Sequence, residues 1–174
     1  MTSSALRIDA RRVDELEPGL LAELDLWFRT QFSHTQFVWS DRPWRVLARA
    51  GDEVVGHIGV LTRTICVDQQ EVFVAGVGGV MTREAWRNRG VATAMLDASA
   101  RLMDERLGAE FGLLLCRPEV QRVYANSGWR TVEGPTFFDQ PSGRARYPRL
   151  TMILPVASAH EWPDGEIDLC GLPW

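Results

Sequence analysis

Residues 6–13, LRIDARRV, alternate loosely between apolar and polar positions and predict a first strand. The period then lengthens. In EPGLLAELDLWFRTQF, residues 17–32, Leu20, Leu24, Trp27 and Phe28 fall on one face of a helix, and Pro18 suits its first turn. Polar SHTQ at 33–36 ends that pattern, and the stretch to Pro43 reads as loop. WRVLARAGDEVVGHIGVLTRTICV, 44–67, gives two strand-like runs joined at Gly51-Asp52, a hairpin signal. DQQ at 68–70 turns the chain into a third run, EVFVAGVGGVMT, at 71–82. From Gly90 the spacing is helical again: Val91, Met95, Ala98 and Leu102 share a stripe, with Arg101, Asp104 and Glu105 on another side. AEFGLLLC at 109–116 predicts a buried strand, and RPEVQRVYANSGW at 117–129 a short helix between Pro118 and Gly128. WRTVEG is a weaker strand and LTMIL, 150–154, a clear one. Residues 155–174 hold too many prolines and glycines for regular structure, yet Trp162 and Trp174 predict that this tail packs on the body.

Strands early and helices between later strands describe a mixed α/β (α+β) layer with a single sheet. With 174 residues and no repeat or linker, the chain predicts one domain, residues 1–174. A formal charge of −4 argues against general nucleic-acid binding. No apolar run approaches the ~20 residues of a membrane span, and the N-terminus turns charged too early for a signal peptide. Cys66, Cys116 and Cys170 are widely spaced and odd in number, which predicts reduced thiols in a cytoplasm, buried as small hydrophobes, with no metal site.

The chemistry gathers at AWRNRGVATAML, 85–96. A helix start leaves backbone N–H groups without partners and carries the positive end of the dipole, so it binds anions where the approach is open. Arg87, Asn88, Arg89, Gly90, Val91 and Ala92 supply those conditions, and Gly90 lets a phosphate come close to the backbone. AGVGGVM fails as a dinucleotide fingerprint because Met81 stands where the third glycine belongs, and there is no Gly-Lys-Ser/Thr. Local chemistry leaves both a solvated basic loop and a phosphate socket open.

RNRGVA, 87–92, resembles the Gln/Arg-x-x-Gly-x-Gly/Ala signature of the Gcn5-related N-acetyltransferases (GNAT), and the predicted element order over roughly residues 5–154 resembles that family's order. The resemblance implies a GNAT fold, with a mixed, mostly antiparallel central sheet flanked by helices. It implies that Arg87 to Thr93 hold the pyrophosphate of acetyl-CoA, and that the backbone of Val80, Met81 and Thr82 pairs with the pantetheine arm. Tyr124, in RVYANSGW, matches the family tyrosine that protonates the leaving thiolate, a task suited to a phenol. Read from the pattern alone, Tyr124 is also a core residue, four positions after Val120 on the same predicted helix.

Within the superfamily, YANSGWRTVEGPT (124–136), GHIGVLTRTI (56–65) and WPDGEID (162–168) resemble stretches of the aminoglycoside 2'-N-acetyltransferases, with a fainter resemblance to the nodulation-factor acyltransferases. This implies an acceptor pocket lined by the tail, with Asp168, Trp174 and the chain end beside His34, Asp41 and Glu119. Aminoglycosides are polycations whose binders gather carboxylates. Here Gly78 stands where those enzymes place a glutamate, their acidic stretch becomes SGRARYPR (142–149), and their acidic loop becomes SHTQFVWSD (33–41). The expected acceptor is therefore a low-charge aminoglycoside, one with its own carboxylate or amidine such as kasugamycin, or an amine on an unrelated small molecule.

For the base that deprotonates the acceptor, His34, Glu119, Asp168, the terminal carboxylate and solvent all remain open. His57 reads as a structural mid-strand imidazole and His160 as solvated. A second reading replaces acetyl-CoA with a longer acyl-CoA or an acyl carrier protein docked on Arg144, Arg146 and Arg149. A third is a non-catalytic acyl-CoA-binding module. No nucleic-acid or membrane partner is expected, and a homodimer is left open.

Overall fold

The computed structural model describes residues 5–156 and 161–174. His160 lies outside the described residues. The first strand, β1 (Leu6–Arg12), lies antiparallel to β2 (Trp44–Ala50), and helix α1 (Pro18–Gln31) connects them. From β2 the chain turns at Gly51 into β3 (Glu53–Val67) and then at Asp68 into β4 (Gln70–Thr82), so β2, β3 and β4 form an antiparallel meander. Helix α2 (Val91–Leu102) crosses back, extended by one π turn to Leu107, and returns the chain to β5 (Phe111–Cys116), parallel to β4. The segment after β5 is a 3-10 turn followed by α3 (Gln121–Ala125), shorter than the helix that the spacing predicts. Beyond it come β6 (Arg130–Thr131), β7 (Thr136–Gln140), β8 (Gly143–Arg146) and β9 (Leu150–Pro155).

The sheet runs β6-β9-β5-β4-β3 and continues through β10 (Ile167–Asp168) to β7 and β8, with β2 also paired to β3 and β1 to β2. This is the mixed, mostly antiparallel sheet of the sequence reading, with two differences. The hairpin of β7 and β8 was not predicted: TFFDQ and GRAR alternate too briefly to stand out, and β8 itself lies in the basic stretch SGRARYPR. The tail is not wholly irregular, since Ile167 and Asp168 pair with both β3 and β7. No described helix is long and apolar enough to cross a membrane.

Two faces organise the core. On one, Val91, Met95, Leu96 and Leu102 of α2 pack on Val46, Ala48, Val55, Ile58, Ala75 and Val77. The other is covered in two parts. Leu24 of α1 packs on Leu47 and Val54, while Ile167, Leu169 and Trp174 of the tail pack with Leu61, Val74, Leu113 and Ile153. The cysteines depart from expectation: Cys116 is buried, but Cys66 is half-buried and Cys170 is exposed, its thiol donating to the Asp168 carbonyl at 3.4 Å.

Candidate active site

Two irregularities in β4 shape the site. In its ladder with β3, His57 faces Met81 and Gly59 faces Gly78, so Gly79 and Val80 together oppose Ile58. This bulge bends the strand, and Gly79 carries it at φ +61, a conformation that side chains with a Cβ rarely adopt. Pairing between β4 and β5 then stops at Val77 and Leu114, although β4 runs on to Thr82 and β5 to Cys116. The two strands part like a V. Met81 and Thr82 keep their β3 partners, so the opposite edge of this strand faces the gap.

At the end of β4 the chain passes Arg87, Asn88 (φ +59) and Gly90 (φ +77) into α2. The first bond of the helix runs from the Ala94 N–H to the Gly90 carbonyl, and no side chain caps the helix. The amides of Val91, Ala92 and Thr93 therefore lack helical acceptors, beside a Gly90 with no other atom within 4 Å of the place a Cβ would occupy. The arginines are partly engaged. Arg87 Nε donates to the Thr82 carbonyl at 3.3 Å, and Arg89 stacks on Trp86 with its guanidinium carbon 5.5 Å from the ring centroid.

Tyr124 stands in α3, just after the opposite limb. It is 9% exposed, in one cluster with Cys116 of β5, Trp129 and Met152. Burial raises its pKa above the ordinary phenol value, with Cys116 and Tyr147 adding to the shift and Arg117 opposing it. The phenol is therefore protonated at neutral pH.

Across the sheet from α2, small residues leave a trough. A methyl group at Gly76 would sit 2.2 Å from Cε2 of Trp174, and one at Gly78 would sit 2.4 Å from the carbonyl carbon of Trp174. At Gly59 it would meet Cδ of Arg42 at 2.5 Å. The position expected to hold a glutamate in related enzymes thus has room for no side chain, because the tail lies on it. Trp174 is 2% exposed and donates from Nε1 to the Leu113 carbonyl at 3.1 Å. Its indole is a packing group and does not present a face to a ligand, which corrects its expected role. Arg63 straps the tail down, donating from Nη1 to the Leu169 and Leu172 carbonyls at 3.0 and 2.7 Å and from Nη2 to Ser40 Oγ at 2.7 Å.

Arg42 lies flat in this trough, its guanidinium carbon 4.0 Å from the centroid of Phe28. Beside it Arg45 donates from Nη1 to the Arg42 carbonyl and reaches Asp25 at 3.5 Å. Burial, and next the neighbouring Arg45, lower the Arg42 pKa to about 10, so the side chain keeps its charge at neutral pH. His57 is also buried, with Nδ1 3.1 Å from the carbonyl of Gly79 in the bulge. Burial first, then Arg45 and Arg42, push its pKa down to about 3. The ring is neutral, with Nδ1–H donating to Gly79.

The other predicted acceptor residues do not converge. Asp41 is exposed on the rim of a cleft beside Arg42, and His34 is exposed in the turn after α1. Glu119 is exposed on the turn leading to Tyr124. Asp168 sits beside Cys66, seven residues along β3 from Gly59 and hence roughly 23 Å away at ~3.3 Å per residue. It is held by Arg144 at 3.1 Å, which removes it from the acceptor group. Arg144 is in turn occupied by Glu166 and Asp168, so only Arg146 and Arg149 of the three arginines remain outside those ion pairs. Sequence reasoning missed Arg42 and Arg45, whose burial depends on tertiary contacts. A signal was present in Gly59, Gly76 and Gly78, since glycine inside a strand marks close approach by another segment.

Comparison with known proteins agrees with this geometry. The family model described as Nodulation protein A (NodA) matches residues 27–171. An aminoglycoside 2'-N-acetyltransferase from Mycolicibacterium fortuitum is 30% identical over 106 residues, covering 59% of this chain and 53% of that protein. The chain thus spans about half the length of this curated relative. Among solved structures, a GNAT family N-acetyltransferase (YhbS) from Escherichia coli in complex with CoA superposes with a TM-score of 0.61 at 16% identity, covering 99% of this chain and 98% of that one. ElaA from Escherichia coli gives 0.64 at 14% identity, over 86% of this chain and 99% of that one. The chain thus shares the fold of these N-acetyltransferase structures, and it is a member of the NodA family.

Proposed function

We propose that the protein transfers an acetyl group from acetyl-CoA to an amine of a small molecule, an aminoglycoside-like antibiotic of low charge such as kasugamycin. The observation that carries this reading is the V between β4 and β5, with free helix-start amides at the end of one limb and Tyr124 just after the other. The amides of Val91, Ala92 and Thr93, with Asn88, Arg89 and Gly90, receive the pyrophosphate. The open edge of Val80, Met81 and Thr82 pairs with the pantetheine arm and polarises the thioester carbonyl. The amine nitrogen attacks that carbonyl, the C–N bond forms, the C–S bond breaks, and Tyr124 gives its proton to the departing thiolate. The acceptor's own proton leaves to solvent or to the carboxylate of Trp174, which lies where a Gly78 side chain would stand.

The aminoglycoside assignment draws on the Mycolicibacterium relative. Its restriction to low charge draws on Gly78, on SGRARYPR (142–149) and on SHTQFVWSD (33–41), which stand where the related enzymes carry acidic residues. Isothermal calorimetry with acetyl-CoA, followed by a thiol-release screen of kasugamycin, other aminoglycosides, polyamines and amino acids, tests the proposal. Absence of acetyl-CoA binding at high micromolar concentration removes it. A second reading, favoured by the NodA match, keeps the chemistry and lengthens the acyl chain. Relative rates with acetyl-CoA and longer acyl-CoAs separate the two.

A further inference from the structure

The least explained groups in the molecule are two buried cations. Arg42 and Arg45 are each 6% exposed, and Nε and Nη1 of Arg42 and Nε of Arg45 are buried without a hydrogen-bond partner among the described residues. A buried guanidinium with unpaired N–H groups is strongly disfavoured unless an anion completes it. The partners in reach do not do so. Phe28 offers its ring face and no acceptor. Asp25 reaches Arg45 at 3.5 Å and is half exposed, and it and the exposed Asp41 act on Arg42 through space without bonding its Nε or Nη1. Trp174 approaches Gly78 from the tail but makes no hydrogen bond to Arg42.

Both arginines line a cleft of about 590 Å³ between α1 and the loop before β2, together with Phe28, Trp39 and Asp41. Nη1 of Arg42 lies 3.3 Å from where a Gly78 side chain would begin, which places it beside the β4 bulge, next to the point where β4 and β5 begin to part. We propose that Arg42 and Arg45 form an anion subsite for the amine acceptor, and that this acceptor carries a carboxylate which the subsite binds while its amine points into the V. The inference rests on the reading of the V as the transfer site. A planar guanidinium edge offers two parallel N–H donors, which fit a carboxylate. It repels a second ammonium while Asp25 and Asp41 of the same cleft attract one, so the comparison of acid with diamine reads which pair of charges governs the acceptor.

The probes are ω-amino acids of three to eight carbons, each compared with its terminal amide and with the diamine of equal length. Two readouts are taken on the full chain. Thiol release gives kcat/KM, and the ¹⁵N–¹H resonance of Arg42 Nε, assigned with Arg42→Lys, reports binding whether or not turnover occurs. Within at least one trio the amino acid is expected to exceed the amide about tenfold in kcat/KM or affinity, with a saturable shift of the Arg42 resonance that the amide does not produce. Equal use of amide and acid, or preference for the diamine, overturns the subsite and leaves the acyltransferase reading intact. Inorganic phosphate shifting the resonance as strongly as any amino acid makes this a free-anion site and overturns the acceptor assignment. Binding of the acid without thiol release from any amine supports the subsite while removing the acetyltransferase reading. An unshifted resonance with every probe overturns the proposal. Gly59→Ala, which keeps both charges but pushes Arg42 aside, is expected to lower the preference for the acid by the same factor as Arg42→Lys.

Discussion

The two ends of the candidate site are built from different materials. The donor end is backbone: three helix-start amides, an open Gly90 and the free edge of a strand, with Gly90 and Thr93 exposed. The acceptor end is side chains drawn from distant segments: Arg42 from a loop, His57 and Gly59 from β3, Gly76 and Gly78 from β4, Trp174 from the tail, nearly all buried. A site made of backbone needs few particular residues and tolerates change around it. A site made of interlocked side chains is sensitive at every contact, including contacts with no chemistry of their own.

That contrast can be broken most severely at Gly76. Gly76→Val places a branched side chain into the indole of Trp174 and is expected to lower stability by about 3 kcal/mol, read by urea unfolding. Acceptor KM should rise before the acetyl-CoA affinity changes, and an unperturbed unfolding midpoint would show that the tail does not lie in this trough. Next is Tyr124→Phe, expected to reduce kcat by roughly a hundredfold with the calorimetric Kd for acetyl-CoA unchanged within about twofold. Equal losses in both would make the hydroxyl a packing group. Gly90→Val meets no neighbouring atom but forces a β-branched residue to φ +77. A penalty of about 1–2 kcal/mol in the bound loop weakens acetyl-CoA roughly tenfold, leaving acceptor selectivity as it was.

The most gradual effect is one of pH. The folded-state pKa of His57, about 3, lies below the ordinary value of 6.5, so between these values the unfolded chain binds more protons. The stability is fully present above about pH 6.5 and is lost as pH falls toward 3, by at most about 1.4 kcal/mol per pH unit from this group. His57→Asn, which can still donate to the Gly79 carbonyl, should flatten that slope in urea titrations between pH 6 and 4. A slope equal to wild type assigns the acid sensitivity to other groups.

How much of this could be read from the sequence follows the same division. The meander, α2 and the RNRGVA loop are local patterns, and β2, β3, β4 and α2 lie within a few residues of where their periodicity puts them. Gly90 could be singled out because one residue determines its own φ. Arg42 could not. Its burial is decided by Phe28, Gly59 and Gly78, and nothing in SDRPWR distinguishes it from a solvated loop arginine. Asp168 fails for the converse reason: a short motif placed it at the acceptor, but β10 pairs at the far end of β3 and hands it to Arg144.

The two-residue strand β10 has a wider reach than its length suggests. It is the link between β3 and the hairpin of β7 and β8, through Ile167 N–H to the Pro135 carbonyl and Leu169 N–H to the Phe137 carbonyl, each at 2.9 Å. Tail and hairpin therefore form a single cooperative opening unit, and their amides should exchange with deuterium together, at one free energy below that of global unfolding. Because that unit also carries Trp174, each opening uncovers the glycines of β4 and loosens the acceptor end, while the amides at the start of α2 stay in place.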